Sequence, residues 1–151
     1  MRFSSLFLVL LLIFITPLWP QTGSLPTGRP DDPALLIGLT LNDLIQRFGI
    51  PNSVHAVRGL EVWQDDVVFV YDEGDFYILN DRVWQVGIKS AYLLSTGDPR
   101  SAVYLSFGQA LRSGTDYAIF SLQGYNWPLA LRFNFDSAGR VSAIFIYRSD
   151  L

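Results

Sequence analysis

The chain reads as an α+β fold of two tandem units, each a short helix followed by an antiparallel meander, with the helices packed on one side of the sheet or sheets. Three observations predict this. A capped helix with one apolar face opens the folded part, a similar stretch recurs sixty-six residues later, and both are followed by short apolar runs parted by turn residues.

Arg2 precedes ten consecutive apolar residues, Leu6 to Ile15, and Thr16, Pro17 and Pro20 break the run. A basic start, an apolar stretch of this length and an early helix breaker describe a secretory signal peptide, assigned to residues 1–22. An anchor helix would need about twenty apolar residues to cross the hydrocarbon core. Residues 23–34, rich in Pro, Gly, Thr and Asp, read as a flexible linker. The first unit is then assigned to 35–92 and the second to 93–151.

In the first unit Leu41, Leu44, Ile45 and Phe48 fall at i, i+3, i+4 and i+7, one face of a helix. Thr40 and Asp43 form a capping box, Gly49 supplies the positive φ that ends a helix, and Pro51 forbids its continuation. The second helix is expected within Leu105 to Gly114, where Ser106 answers to Thr40, Gln109 completes a capping box and Gly114 is the stop.

Strands are expected at Val54 to Val57, Leu60 to Trp63, Val67 to Tyr71, Phe76 to Leu79 and Val83 to Ile88, and then at Tyr117 to Leu122, Leu129 to Phe135 and Val141 to Tyr147. The separators, such as Asn80-Asp81-Arg82 and Asp136-Ser137-Ala138-Gly139-Arg140, have the length and residues of hairpin turns. Leu129, Leu131, Phe133 and Phe135 alternate with Ala130, Arg132 and Asn134, the pattern of a sheet with one face on a core. Phe76 to Leu79 is apolar on both sides, which suits a strand covered twice or one whose second face binds something.

Half of the 151 residues are apolar and 15% are aromatic, enough to fill a core. Without Arg2 the chain carries ten basic and fourteen acidic groups, a net charge of −4. A mildly acidic surface with scattered arginines gives no footprint for nucleic acid, and no basic stripe for an anionic membrane. There is no cysteine, which excludes disulfides, thiolate metal sites, thiol catalysis and a lipid-modified N-terminal Cys.

The string Gly38-Leu39-Thr40, Asp43-Leu44, Phe48-Gly49-Ile50-Pro51, followed by aromatic-rich strands, resembles the helix entry of the BamE (SmpA/OmlA) outer-membrane assembly lipoproteins. It is also similar to the β-lactamase-inhibitor-protein (BLIP) fold, in which such a unit occurs twice. The resemblance implies helices layered on an antiparallel sheet and a role in binding other proteins rather than in catalysis. No partner-contacting residue of either family maps onto a position here, and the lipid-bearing Cys of the assembly lipoproteins is absent.

Catalytic chemistry finds little to work with. His55 stands two residues after Ser53, a spacing that turns both to one face of a strand, yet no nucleophile elbow surrounds Ser53. The carboxylate clusters Asp65-Asp66 and Asp72-Glu73-Gly74-Asp75 fall in hairpin turns, where Asp and Gly are favoured for backbone reasons. No phosphate loop, His-Glu-x-x-His or dinucleotide fingerprint is present. The expectation is a non-enzyme with no cofactor, no metal site and no catalytic residue.

Aromatic side chains are the remaining signal, because Tyr and Trp are favoured where one end meets a partner. Tyr125 and Trp127, in a turn, together with Trp63, Trp84 and Tyr77 are the candidate partner-binding residues. The sequence thus predicts an exported, non-catalytic protein-interaction module, periplasmic or secreted, serving envelope or outer-membrane protein assembly. Its partner would be another protein, an envelope component or an exogenous enzyme, with no nucleic acid and no stable membrane span once the signal is removed. The alternatives are a periplasmic carrier of an apolar small ligand, requiring an apolar chamber between helix and sheet, and an uncharacterised hydrolase using His55.

Overall fold

The first helix, α1 (Leu41–Phe48), forms where its caps dictate. The Thr40 side chain accepts from the Asp43 backbone, the Asp43 side chain accepts from the Thr40 backbone, and Gly49 closes the far end at φ 81. Residues 31–58 and 66–151 are described by the structure, a computed structural model. The expected signal peptide at 1–22, residues 23–30 of the expected linker, Trp63 and the apolar run Leu60 to Trp63 lie outside the described residues.

A short 3-10 helix (Pro33–Leu36) precedes α1, with Asp32 at its cap. After α1 come β1 (Ser53–Val57), β2 (Asp66–Val70), β3 (Asp75–Leu79) and β4 (Arg82–Ile88), then a two-stranded hairpin of β5 (Ser90–Ala91) and β6 (Leu94–Ser95). The second helix, α2 (Arg100–Phe107), is followed by β7 (Arg112–Ser113), β8 (Tyr117–Leu122), β9 (Leu129–Phe135) and β10 (Val141–Arg148).

All the long strands share one antiparallel sheet in the order β1-β2-β3-β4-β10-β9-β8-β7. This overturns the expected α+β architecture of tandem helix-plus-meander units: the structure is mostly antiparallel sheet, with two short helices laid on a single eight-stranded surface. Strands far apart in the chain join at its centre, where Val86 pairs with Ile146 and Ile88 with Ile144. Apolar burial on that shared face welds the strands into one core, and local pattern along the chain carries no information about that pairing.

The expected second helix is displaced as well. Ser106 lies in the last turn of α2 and not at its cap, Gly108 at φ 72 is the stop, and Gly114 sits in the turn between β7 and β8. Pro99 occupies the N-cap with no side-chain hydrogen bond, so the second capping box does not exist. In sequence, the end of α2 resembles the start of α1.

One face of the sheet holds the core. Phe76, Val83, Val86, Leu131, Phe133, Ile144 and Ile146 are wholly buried there with Leu44 of α1 and Val103 of α2. Full burial of a side chain of this size contributes roughly 1.5–3 kcal/mol, so the covered face dominates stability. Residues 31–34, assigned to the linker by composition, enter this structure: Ala34 is buried in the core and Asp32 is only 6% exposed.

Candidate functional site

The helices cover one face of the sheet, and among the described residues the other face is left to its own side chains. Strand alternation places them. Tyr77 pairs with Gln85, and Gln85 with Tyr147 in the next strand; Phe145 pairs with Gly87 on one side and Arg132 on the other. A Cβ on Gly87 would lie 3.1 Å from the Phe145 ring, so the bare backbone at this point is what lets the ring settle across the strand.

Trp84 joins this face through a bulge. Tyr77 pairs with Gln85 and Ile78 with Val83, which leaves Trp84 as the extra residue of β4. Its indole N–H donates to Asp66 Oδ1 at 3.0 Å, and its ring meets Tyr77 edge to face, centroids 6.4 Å apart. Burial raises the Tyr77 hydroxyl pKa, and the nearby charges of Asp75 and Asp66 push the same way, so Tyr77 stays a neutral donor.

These strands enclose an open hollow of about 480 Å³, lined by Trp84, Gln85, Phe145, Tyr147, Arg132 and Asn134, with Leu151 at its margin. Arg132 Nε donates to Asn134 Oδ1 at 2.7 Å, and its guanidinium lies 5.0 Å from the Tyr117 ring centroid. The hollow combines large apolar rings with the amides of Gln85 and Asn134 and a fixed cation, all half-buried. That composition suits reversible grip on another molecule.

Tyr125 and Trp127, expected to be exposed in their turn, are half-buried and engaged within the chain. Tyr125 donates its hydroxyl to Asp32 Oδ2 at 2.5 Å, and Tyr92 donates to Asp32 Oδ1 at 2.9 Å. Burial first, then hydrogen bonding and the nearby Asp32 charge, raise the pKa of both phenols. Trp127 stacks under the Arg148 guanidinium at 4.0 Å and lies so close to Gly38 that a Cβ there would stand 2.7 Å from its indole nitrogen. These two aromatics fasten the start of the described chain to the sheet's far end, and the hollow's lining does not include them.

Of the other candidates, Trp84 and Tyr77 are brought together on the open face. Ser53 and His55 stand exposed on the edge strand β1, away from the hollow. Among the described residues no group of three or more His, Asp or Glu is placed to hold a metal ion. No described helix is long and apolar enough to cross a membrane. A second hollow, about 380 Å³ and lined in part by Asp31, Pro33, Tyr92 and Leu93, lies beside the β5–β6 hairpin. The first hollow lies on the face away from the helices, and the second, between the start of the 3-10 helix and the hairpin, is an open surface hollow with no enclosed apolar chamber of the kind a carrier would need.

Sequence reasoning missed Phe145, Gln85, Arg132 and Asn134. A signal existed: Phe145 and Tyr147 alternate with Ile144 and Ile146, so β10 is apolar on both faces in the same way as Phe76 to Leu79.

The fold is similar to that of an extracellular protein containing a SCP domain from Bacillus anthracis str. Ames, with a TM-score of 0.53 and 12% identity over 86% of this chain and 50% of that one. It is also similar to a cysteine-rich secretory protein from Staphylococcus aureus subsp. aureus Mu50, with a TM-score of 0.52 and 10% identity over 80% of this chain and 47% of that one. The chain therefore spans about half the length of these two structures. No protein-family model and no curated protein matches it. The resemblance to BamE-type lipoproteins and to BLIP is accordingly corrected, and with it the tandem repeat: these two structures of similar fold are instead a SCP-domain protein described as extracellular and a cysteine-rich secretory protein.

Proposed function

We propose that the protein is an exported, non-catalytic interaction module that grips a partner protein with the open aromatic face of its sheet. The observation that carries this reading is the 480 Å³ hollow, where Trp84, Phe145 and Tyr147 stand with Arg132 and Asn134 on the face the helices leave bare. Aromatic and Arg side chains of this kind supply most of the energy at protein interfaces. Export is supported by the basic, apolar and proline-broken start of the sequence and by the extracellular or secretory description of the two proteins that share the fold. The partner meets it outside the cytoplasmic membrane.

The test uses the exported chain as bait against the extracellular proteins of its own host, with captured proteins identified by mass spectrometry. Trp84→Ala and Tyr147→Ala should each lower retention of the partner by about tenfold or more, as loss of a hot-spot side chain does. Leu93→Ser, at a fully exposed residue outside that face, should leave it unchanged. Retention indifferent to both aromatic substitutions would remove the proposal's physical basis.

A further inference from the structure

The two edges of the sheet are built differently. β7 is only two residues long, which blunts that edge. β1, at the other edge among the described residues, runs five residues, pairs with β2 without a register shift, and is exposed at every position. Its sequence, Ser53-Val54-His55-Ala56-Val57, carries none of the devices that protect an edge: no Lys, no Pro, no bulge and no acidic side chain. Apolar groups border it, with Val54 51%, Ile50 89% and Val67 43% exposed.

We infer that two copies of the chain join edge to edge through β1, continuing one antiparallel sheet across a two-fold axis at His55. The strand is complementary to itself about that point. Val54 of each copy faces Ala56 of the other, Ser53 faces Val57, and no two like charges oppose. One step further out, Asn52 of one copy faces Arg58 of the other. The Asn52 amide donates to Asp72 Oδ1 at 2.8 Å, so each end of the joint brings opposite charges, and not like ones, to the same side of the seam.

The β1–β2 register puts Val54 in line with Phe69 and Ala56 in line with Val67, on the face that carries the helices. The joint therefore covers Val54 while leaving the hollow, three strands away on the opposite face, open to its own partner. Because an isologous contact consumes the long edge of both copies and the short β7 cannot template another, assembly closes at two.

Sedimentation equilibrium or light scattering of the exported chain at micromolar concentration should give twice the chain mass. Ala56→Lys, which places a charge opposite Val54, should halve it, with circular dichroism unchanged. Trp84→Ala should leave the dimer whole. The chain has no cysteine, so His55→Cys supplies a single thiol that meets its own copy on the axis. Mild oxidation should convert most of the His55→Cys chain to a covalent dimer, and Leu93→Cys should cross-link no faster than random encounter. A monomer at every concentration, a dimer that Ala56→Lys leaves intact, or a dimer broken by Trp84→Ala instead would each overturn the inference.

Discussion

α1 and α2 are both eight residues long, and both stop at a Phe followed by a Gly of positive φ, yet only α1 begins with a side-chain cap. α1 satisfies part of its start from within, the Asp43 N–H donating to Thr40 Oγ1 at 3.1 Å and the Thr40 N–H to Asp43 Oδ2 at 3.0 Å, while its Leu41 N–H donates to the Asp81 carbonyl, in the turn between β3 and β4, at 3.1 Å. α2 starts at a proline with no side-chain cap, and the Arg100 N–H donates to the Gly139 carbonyl, in the turn between β9 and β10, at 2.9 Å. The Arg100 side chain is held by tertiary structure too, its guanidinium 4.3 Å from the Phe135 ring centroid and donating to the Thr115 carbonyl. Both helices dock their first N–H on a carbonyl of a strand-joining turn, but only α1 adds a cap written in four adjacent residues.

That contrast should show first in the aromatic contacts. Phe107 of α2 meets Tyr92, Phe120 and Phe133 at centroid distances of 5.9, 5.1 and 5.6 Å, whereas Phe48 of α1 meets Tyr71 and Phe76 at 5.7 and 5.3 Å. Phe107→Ala should cost about 3–4 kcal/mol in urea-induced unfolding, the range for removing a packed phenyl ring. Phe48→Ala should cost less by roughly 1 kcal/mol, since it leaves one ring contact fewer unfilled and a locally capped helix behind. Equal losses for the two would erase the distinction between a helix held by its own caps and one held by the sheet.

A smaller effect sharpens the same contrast from the other side. Thr40→Ala removes the acceptor for the Asp43 N–H and should cost about 1 kcal/mol, as loss of a side-chain N-cap does. Amide hydrogen exchange should locate that loss: protection falls in the first turn of α1 and stays unchanged in α2. If protection fell equally in both helices, α1 would owe its start to the sheet as α2 does.

The same division explains what could be read from the sequence. Seven of the apolar runs lie on strands, because alternation and turn residues such as Asn80-Asp81, at φ 49 and 62, are local properties. α1 was legible for the same reason. The merging of all strands into one sheet was not, since the joint between β4 and β10 pairs residues about sixty positions apart, such as Val86 and Ile146. At the site, Trp84 and Tyr77 were visible as aromatics in strands, but Arg132 and Asn134 looked like ordinary solvent-facing polar residues of β9. Tyr125 and Trp127 misled for a physical reason. Their turn does project from the sheet, but Asp32, ninety-three residues earlier than Tyr125, and Gly38 supply the polar and steric partners that draw them in.

The smallest expected effect concerns charge at the α1 cap. The Asp43 carboxyl is held below its ordinary value, first by hydrogen bonding from the Thr40 hydroxyl, then by the Thr40 N–H, with a further attraction from Arg82. A group depressed in the folded state contributes stability above its unfolded pKa, close to 4, and loses that contribution as pH falls through the lower folded value. The wild-type chain should therefore lose stability relative to Thr40→Ala as pH drops from about 5 to about 2, so the gap between the two narrows. Part of the gap survives, because the Thr40 hydroxyl still accepts from the Asp43 N–H after the carboxyl is protonated. Paired thermal melts across that pH range separate the two contributions. A gap that stayed constant would assign the whole cap to the threonine hydroxyl, and Asp43 would then serve α1 only by its place in the first turn, where a negative charge meets the positive end of the helix dipole.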